Sequence, residues 1–541
     1  MPDSEEESIQ LLGDARHAGR TRPGAWSGHV RELSGAALSG GLLVLAFPRF
    51  DFWLLAFVVL APWLARLPGQ SPRTAALGGV AAGLTFFLGS LWWIAETMRR
   101  YGDLPAGFGL PVAVTVLLVL AAYLSLYVGA FAALLAWLRP TSGASFVLTA
   151  AGLWVALEYL RTHLLSGFPW NLLGYSQYQN FALLPVAAVT GVYGLSFLVL
   201  AVNAALAWAL RQWGRWDEAA SAVGVAGALV VLATAPGWGR ASATPGATIP
   251  VALVQGNIAQ ELKWDPARLA ETVVTYQRLS QVAAAAGRPA LIVWPETAVP
   301  FSLQDDGHRE AVLVVARVVQ APLLVGAPHV DRATNSVHNS AFLVDSRGAV
   351  VDRYDKRHLV PFGEYVPLRR LLFFADWFVS GGIGEFTRGE NRGPIASAAG
   401  RLAVTICYEV IFPAEVRRAF AEGADFLVNL TNDAWFGRSS APYQHLAMAV
   451  LRAVENGTYV IRAANTGISA IIAPDGRILR ASALFTREIV TGVIAPRART
   501  TFYTRYGDLF ALTALAVMSA VLVTAGVARR RAVPALGSLS G

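Results

Sequence analysis

The residues with the clearest chemical potential surround Cys407, the only cysteine in a chain of 541 residues. The apolar, β-branched run 402–406 predicts a buried strand that ends at this cysteine. Pro413 is typical of the first turn of a following helix. A nucleophile on such a turn would be exposed at its tip, and the positive end of the helix would favour its thiolate. The alternative, on these residues alone, is that Cys407 is a small buried hydrophobic residue.

Two charged residues elsewhere in the chain could activate a cysteine thiol. Glu296 ends the run VWPE, and Lys356 lies in DRYDKRHLVPFGEY. A carboxylate within reach of a thiol can accept its proton, whereas an ammonium lowers the thiol pKa and can stabilise an oxyanion. The sequence has no Ser nucleophile elbow, HExxH, P-loop or GxGxxG motif, and its eight histidines show no spacing typical of metal ligands. The pattern favours a cysteine nucleophile that works without a metal or another cofactor.

These groups belong to residues 247–500, where short strand-like runs alternate with helical stretches. This alternation predicts a layered sheet with helices on its outside, and such folds collect their polar site residues at strand ends. One helix is expected at 266–286. Strands are expected at 249–254, 290–293, 323–326, 340–344, 350–354, 402–406, 426–429, 459–463 and 468–473.

The composition of the whole chain is that of a membrane protein with an additional polar domain. Hydrophobic residues make up 55% of the chain and charged residues only 15%, which is too apolar for a soluble protein. We predict seven membrane spans before the polar domain and one after it, the first two being marginal in length. The apolar segments lie near 33–48, 52–67, 75–95, 110–138, 144–160, 181–210, 219–236 and 509–527.

Arginines determine the predicted orientation of these spans. They cluster on the N-terminal tail, on every second loop and on the C-terminal tail, although Arg99, Arg100 and Arg161 lie on the opposite side. The positive-inside rule then places both termini in the cytoplasm and the polar domain outside it. We therefore interpret the net charge of +8 as a topology signal and expect no binding of nucleic acid. The predicted segments are a cytoplasmic tail at 1–32, seven transmembrane helices within 33–246, the catalytic domain at 247–500, a transmembrane helix at 501–528 and a cytoplasmic tail at 529–541.

Four motifs resemble the nitrilase, or carbon-nitrogen hydrolase, superfamily: WPE, YDKRHLVPFGEYVP, ICYE and NLTNDAWFG. Together with the membrane spans and the SGFPWN loop, they make the chain similar to the apolipoprotein N-acyltransferase family from about residue 35 to 528. The resemblance implies a catalytic triad of Glu296, Lys356 and Cys407. It also implies a polytopic α-helical membrane domain of about eight helices with an extracytoplasmic αββα sandwich.

The resemblance implies roles for three further polar residues. Glu364 would orient Lys356 or share its proton transfer, unless it is a turn or salt-bridge residue. Glu409 would be another essential acid near the pocket, unless it pairs with Arg401 or Arg462. Asn339 would line the site, unless it is simply a residue of a β-hairpin.

Three aromatic residues gain roles in the same way. Tyr408 would supply a backbone N–H that holds the oxyanion together with the lysine of the triad. Trp264 and Trp435 would line the path of the acyl chain or lipid, the alternative being ordinary packing.

The segment 373–384 would be a lid with glycine hinges or a plain surface loop. The aromatic loop at 168–170 would be an interface belt, or a floor or lateral gate for a lipid substrate.

The activity implied by the resemblance is a two-step, ping-pong acyl transfer. Cys407 would take the sn-1 acyl group of a phospholipid, typically phosphatidylethanolamine, and form a thioester. The α-amine of the diacylglyceryl-cysteine of an apolipoprotein would then accept the acyl group, in the last step of bacterial lipoprotein maturation. The implied enzyme is a monomer in the bacterial inner membrane, surrounded by membrane lipid, with its catalytic domain on the periplasmic side.

Two other classes of protein are alternatives to an acyltransferase. A membrane-tethered amidase would use the same Glu-Lys-Cys triad, but a tether needs one span rather than eight. A transporter with a large external domain would carry ionisable residues inside its spans, whereas few charges lie at the centres of the apolar segments.

Overall fold

The computed structural model describes residues 23–101, 107–235, 248–304, 307–365, 386–390 and 393–532. The predicted lid at 373–384 lies outside these residues. The described chain forms a helical membrane domain and a catalytic domain of two β-sheets. The helices are α1 Pro23–Leu43, α2 Ala61–Leu64, α3 Pro72–Leu91, α4 Trp93–Tyr101, α5 Gly109–Leu138, α6 Gly143–His163, α7 Ala187–Thr190, α8 Val192–Arg211, α9 Trp216–Thr234, α10 Leu269–Gly287, α11 Arg309–Val319, α12 Pro413–Ala421, α13 Ala441–Asn456, α14 Phe502–Tyr506 and α15 Leu509–Ala532.

Among the described residues, six helices are long and apolar enough to cross a membrane: α3, α5, α6, α8, α9 and α15. They correspond to six of the eight predicted segments. The two marginal segments behave differently. Segment 33–48 lies on α1, whose first half carries His29, Arg31 and Glu32, and on the 3₁₀ turn after it. Segment 52–67 is divided between the 3₁₀ helix Trp53–Phe57 and the single turn of α2.

Small residues bring α3 and α5 into close contact. A Cβ atom added at Gly79 would lie 2.5 Å from the carbonyl oxygen of Val128, and one added at Gly83 would lie 2.9 Å from Ser125. Membrane helices gain little from the hydrophobic effect against lipid, so this close backbone approach supplies much of their attraction.

The catalytic domain contains two six-stranded sheets. The first sheet has the order β12-β1-β2-β3-β4-β5 and the second β11-β10-β9-β8-β7-β6. The strands are β1 Ile249–Gln255, β2 Leu291–Val293, β3 Leu323–Asp331, β4 Ser336–Val344, β5 Val350–Asp355, β6 Ile395–Ser397, β7 Gly400–Ile406, β8 Phe426–Thr431, β9 Val460–Ala464, β10 Ala470–Ile472, β11 Ile478–Ala481 and β12 Glu488–Ile494.

Strand direction brings the predicted site residues to one edge of each sheet. In the first sheet β1, β2 and β3 are parallel, and β5 runs in the same direction because β4 is antiparallel to both of its neighbours. In the second sheet β7, β8 and β9 are parallel. Glu296 and Lys356 therefore follow strands that end at the same edge, and Cys407 follows β7 at the corresponding edge of the second sheet.

Three hydrophobic cores hold the domains together. The faces of the two sheets meet in one core, which includes Leu253, Leu324, Val404 and Val428. The other face of the first sheet packs against α10 and α11 in a second core. The other face of the second sheet packs against α12 and α13 in a core that continues into the membrane helices. The αββα sandwich thus joins the membrane domain through its second helical layer.

Candidate active site

Cys407 lies directly after β7 and opens the 3₁₀ helix Cys407–Ile411. Its φ angle of 51° is in the left-handed region, which is uncommon for non-glycine residues and costs conformational energy. The side chain is 7% exposed, so the nucleophile is enclosed rather than exposed at the tip as the sequence suggested. The next α-helix begins only at Pro413, and Cys407 therefore does not occupy its positive end.

Glu296 is held by contacts from both sheets. Its Oε1 accepts a hydrogen bond from Asn339 Nδ2 at 2.7 Å, and its Oε2 accepts one from the backbone N–H of Asn432 at 2.9 Å. Asn339 belongs to β4, whereas Asn432 follows β8. Glu296 is 6% exposed, and its carboxylate is fixed between the edges of the two sheets.

Lys356 is paired with two carboxylates. Its Nζ lies 2.9 Å from Glu364 Oε1 and 3.5 Å from Glu296 Oε1. Asn339 Nδ2 completes the cluster by donating also to Glu364 Oε1 at 3.1 Å. Asn339 is therefore more than a hairpin residue, because its amide bridges the two carboxylates. Its Oδ1 is buried and has no hydrogen-bond partner.

The electrostatic environment keeps the thiol protonated in the resting site. Burial, and after it the Glu296 carboxylate, raise the pKa of the Cys407 thiol, while the Lys356 ammonium opposes this shift. Burial alone would lower the pKa of Lys356, but Glu364 and Glu296 outweigh it and raise this pKa above its ordinary value. The lysine thus stays charged, and the thiol needs a base before it can attack.

Glu409 connects the elements that carry the lysine and the cysteine. Its carboxylate accepts hydrogen bonds from the backbone N–H of Arg357 at 2.6 Å, of His358 at 3.1 Å and of Ile406 at 2.7 Å. Both of its oxygens also accept from Tyr354 Oη at 3.0 Å. The alternative of a salt bridge to Arg401 or Arg462 is wrong, because Arg401 donates to the carbonyl of Glu422 and Arg462 to Asn429 and Asp433.

The first turn after the nucleophile offers backbone donors. Tyr408 is the second residue of the 3₁₀ helix, and the first N–H groups of a helix have no partner within it. The Tyr408 ring packs against His358 and Phe412, with centroid distances of 5.7 and 5.1 Å. This packing fixes the backbone that follows Cys407.

A second lysine, which the sequence analysis missed, lies on the other side of the glutamate. Lys263 is 2% exposed, and its Nζ donates to the backbone carbonyl oxygen of Glu296 at 2.9 Å. A sequence signal could have found it. Of the 44 lysines and arginines in the chain, only Lys263 and Lys356 are lysines, and both are in this site.

A second cluster that was not predicted, formed by His445, Arg462 and Asp433, contacts the turn at Cys407. His445 Nε2 lies 3.1 Å from the carbonyl oxygen of Cys407, and its Nδ1 lies 3.0 Å from Arg462 Nη2. Arg462 Nη2 also donates to Asp433 Oδ2 at 2.7 Å. Burial and the Arg462 charge lower the pKa of His445, while Asp433, whose Oδ1 lies 3.2 Å from His445 Nδ1, acts in the opposite direction. Because a carbonyl oxygen only accepts, Nε2 donates to the Cys407 carbonyl.

The two tryptophans predicted to line a lipid path occupy different places. Trp264 follows Lys263 and is half-buried, and its Nε1 is buried without a hydrogen-bond partner. Trp435 contacts the membrane domain instead, because its ring packs against Tyr101 at 5.1 Å and its carbonyl accepts from Thr97 at 2.9 Å. Trp264 thus adjoins Lys263 in the chain, and Trp435 packs at the contact with the membrane domain; a role of either in lining a lipid path stays a prediction.

The aromatic loop at 168–170 joins the two domains. Trp170 is 1% exposed, its Nε1 donates to Gln444 Oε1 at 2.8 Å, and its ring lies 5.6 Å from that of His445. A buried tryptophan does not form an interface belt, whereas the role of a floor or gate for lipid stays a prediction. Instead, Trp170 connects the membrane domain to the helix that supports the nucleophile.

The cluster as a whole contains a thiol, a carboxylate that acts electrostatically on it, an ammonium held charged and backbone donors at a helix start. This set is sufficient for covalent catalysis at a carbonyl carbon. Within the described ranges, no group of three or more His, Cys, Asp or Glu side chains is arranged to hold a metal ion.

Two family models match the chain. Residues 39–205 match the apolipoprotein N-acyltransferase N-terminal domain, and residues 250–502 match carbon-nitrogen hydrolase. The apolipoprotein N-acyltransferase of Geobacter metallireducens is 42% identical over 511 residues, which cover 93% of this chain and 96% of that protein. The apolipoprotein N-acyltransferase of Methylococcus capsulatus is 39% identical over 488 residues, which cover 87% of this chain and 92% of that protein. Among solved structures, Saccharomyces cerevisiae Nit3 of the nitrilase superfamily is 21% identical, with a TM-score of 0.38, and covers 47% of this chain and 93% of its own.

Proposed function

The chain belongs to the apolipoprotein N-acyltransferase family, and from this premise we propose that it moves a fatty acyl group from a phospholipid to the N-terminal amine of a lipoprotein through a thioester on Cys407. Its enzyme class, an acyltransferase of the carbon-nitrogen hydrolase superfamily, follows from the family. The donor, the acceptor and the order of steps are the proposal.

In the first step, Glu296 takes the proton of the Cys407 thiol, and the sulfur attacks the sn-1 ester carbonyl carbon of a phospholipid. A carbon–sulfur bond forms, and Lys356 and the Tyr408 N–H stabilise the oxyanion. When the ester carbon–oxygen bond breaks, Glu296 returns the proton to the departing alkoxide. Lysophospholipid leaves, and a thioester remains on Cys407.

In the second step, the α-amine of a diacylglyceryl-cysteine attacks the thioester carbonyl. A carbon–nitrogen bond forms and the carbon–sulfur bond breaks. The amine proton passes by way of Glu296 to the departing thiolate, which restores the thiol. The product is an N-acylated lipoprotein. Glu364 and Asn339 keep Glu296 and Lys356 aligned through both steps, since their hydrogen bonds connect the two charged groups.

The observation that carries the proposal is the enclosure of the triad in a domain that shares a core with the membrane helices. Cys407, Glu296 and Lys356 are 7%, 6% and 1% exposed, and the core behind α13 continues into the membrane domain. Enclosure protects a thioester from water, and the shared core keeps the site close to lipid. Phosphatidylethanolamine is the donor that we propose, and the catalytic domain faces the periplasm of a bacterial inner membrane.

The proposed reaction can be tested with purified protein in vesicles of phosphatidylethanolamine that carry a labelled sn-1 chain, followed by a synthetic diacylglyceryl-cysteine peptide. We expect labelled amide on the peptide and an equal amount of lysophospholipid. Labelled free fatty acid without amide would show hydrolysis and favour the amidase alternative. Glu296→Gln should abolish both products, because the thiol then lacks its base.

The proposed orientation has its own test. A topology reporter fused to the catalytic domain of a cell-expressed chain should be active only on the periplasmic side. A reporter that is active in the cytoplasm would contradict the orientation while leaving the chemistry untouched.

A further inference from the structure

Lys263 is the one lysine of the chain that the proposed mechanism does not use. It follows the 3₁₀ helix Gln260–Leu262 and is buried, with 2% of its surface exposed. Its Nζ donates to the backbone carbonyl oxygen of Glu296 at 2.9 Å. Burial of a charged group is costly unless an opposite charge compensates it. The charged groups that face Lys263 therefore indicate what it does.

Lys263 adds a second cation to a site that is rich in buried acids. Lys356 lies between Glu296 and Glu364, and Asp433 also acts on the Cys407 thiol. Negative charge beside Cys407 opposes the formation of a thiolate or an oxyanion there. The ammonium of Lys263 offsets part of this charge. The titratable groups that face it are Glu296, from the loop after β2, and Cys407, from the turn after β7.

Lysine is rare in this chain, which makes position 263 distinctive. Of the 44 lysines and arginines, all are arginine except Lys263 and the triad residue Lys356. An ammonium is compact and needs few acceptors, whereas a guanidinium has five donors in a rigid plane. A buried pocket that offers one backbone carbonyl suits the first group better than the second.

We propose that Lys263 is a positioning residue of the acyl transfer, which holds the main chain of Glu296 and balances the charge of the pocket so that the Cys407 thiolate and the oxyanion can form. The inference rests on the proposed function. Lys263 acts through Glu296 and through the pocket charge, and the oxyanion is held by Lys356.

This role makes catalysis sensitive to moderately alkaline pH. Burial lowers the pKa of Lys263 to about 8, although Glu296 and Cys407 act in the opposite direction. The ammonium is therefore present below about pH 8 and is lost as the pH rises through that value. Lys356 keeps its charge over the same range, because its carboxylate partners raise its pKa. The acylation rate should therefore fall above about pH 8 as Lys263 loses its charge.

The first test compares the full-length wild type with Lys263→Met and Lys263→Arg in phosphatidylethanolamine vesicles, by the rate of thioester formation from pH 6.5 to 10. We expect Lys263→Met to acylate about tenfold to a hundredfold more slowly below pH 8 and to lose the alkaline decline. Lys263→Arg should have an intermediate rate without that decline, because its charge persists. Met at 263 with the wild-type rate and pH profile would overturn the inference.

The second test does not depend on activity. Because the chain has two lysines, ¹³Cε-lysine labelling of the full-length protein in detergent gives two side-chain signals. One should titrate near pH 8 and disappear in Lys263→Met, and its midpoint should fall in Glu296→Gln but not in the exposed control Glu271→Gln. A Lys263 signal that titrates near 10.5, as in water, would overturn the inference. If the wild type forms no thioester but this titration is found, the proposed function fails and the buried, coupled lysine stands.

Discussion

Single residues of this chain divide into those that bear the chemistry and those that hold them in place. Glu296, Lys356 and Cys407 were predicted from motifs that end strand-like runs, and the fold brings them to facing sheet edges. The contacts that position them were not predictable in the same way. Burial and Arg462 lower the pKa of His445, and Arg462 and His445 lower that of Asp433 although burial opposes this. These partners belong to different elements, and no local pattern in the sequence indicates them.

The hydrogen bond from His445 to the carbonyl of Cys407 gives the first prediction. Removing the ring should let the strained turn at Cys407 relax, because its φ of 51° is held by its surroundings. We expect His445→Ala to lower the acylation rate about a hundredfold with little change in the apparent affinity for phospholipid. His445→Gln, which retains an N–H donor, should recover part of the rate.

Initial-rate kinetics of the purified variants provide the measurement, and melting temperatures show whether they fold. His29→Ala, on the exposed surface of α1, is the matched control and should behave as wild type. A folded His445→Ala protein with the wild-type rate would show that the ring does not position the nucleophile.

At the scale of elements, most strands and helices could be predicted, and those that were missed have physical reasons. Strand β11 is exposed along its whole length and β6 has only three residues, so neither shows a hydrophobic pattern. Strand β12 contains Gly492, a residue that weakens a strand signal. The split of 52–67 into short helices could not be foreseen, because its apolar composition is also that of a membrane span.

The close approach of β3 to the loop after β2 gives the second prediction. Gly326 in β3 lies against the segment that carries Glu296. A Cβ atom added there would be 2.2 Å from the carbonyl oxygen of Pro295 and 2.8 Å from Cα of Glu296. Because these neighbours are backbone, Gly326→Ala should displace Glu296 and reduce the acylation rate at least about tenfold.

The matched control is Gly287→Ala at the end of α10, where an added Cβ meets no atom within 4 Å. Rates measured in the same vesicles should separate the two variants while both remain folded. Equal rates for the two alanine variants would contradict the close packing of β3 against Glu296.

At the scale of the whole molecule, the sequence predicted two domains but not how they meet. The meeting surface depends on α13, which looks like an ordinary amphipathic helix in the sequence yet is buried along almost its whole length. Gln444 Nε2 in its first turn donates to the carbonyl oxygens of Pro48 at 3.3 Å and Ser90 at 3.1 Å. The next residue, His445, reaches Cys407. One helix thus connects the membrane domain to the nucleophile.

A buried ion pair on the same helix gives the third prediction. Arg452 Nη2 lies 2.8 Å from Glu455 Oε1, which also accepts from the backbone N–H of Val192 in the membrane domain at 3.0 Å. Removing one partner leaves a buried charge uncompensated, at a cost of about 3–5 kcal/mol. Arg452→Met should therefore lower the melting temperature of the detergent-solubilised protein by several degrees.

Removing both partners should restore part of this loss, so Arg452→Met with Glu455→Gln should melt above Arg452→Met alone. The exposed pair of Arg268 and Glu271 is the control, and Arg268→Met should change the melting temperature little. If Arg452→Met melts like wild type, the ion pair does not hold the two domains together.

The central claim is that the sulfur of Cys407 carries the acyl group between two lipids. Its most direct test is the intact mass of the full-length protein after incubation with phosphatidylethanolamine and without an acceptor. We predict a mass increase of one acyl chain on the wild type that hydroxylamine removes, and no hydroxylamine-sensitive adduct on Cys407→Ser. A wild-type protein that releases lysophospholipid without this adduct, or an adduct that persists in Cys407→Ser and remains sensitive to hydroxylamine, would contradict the account.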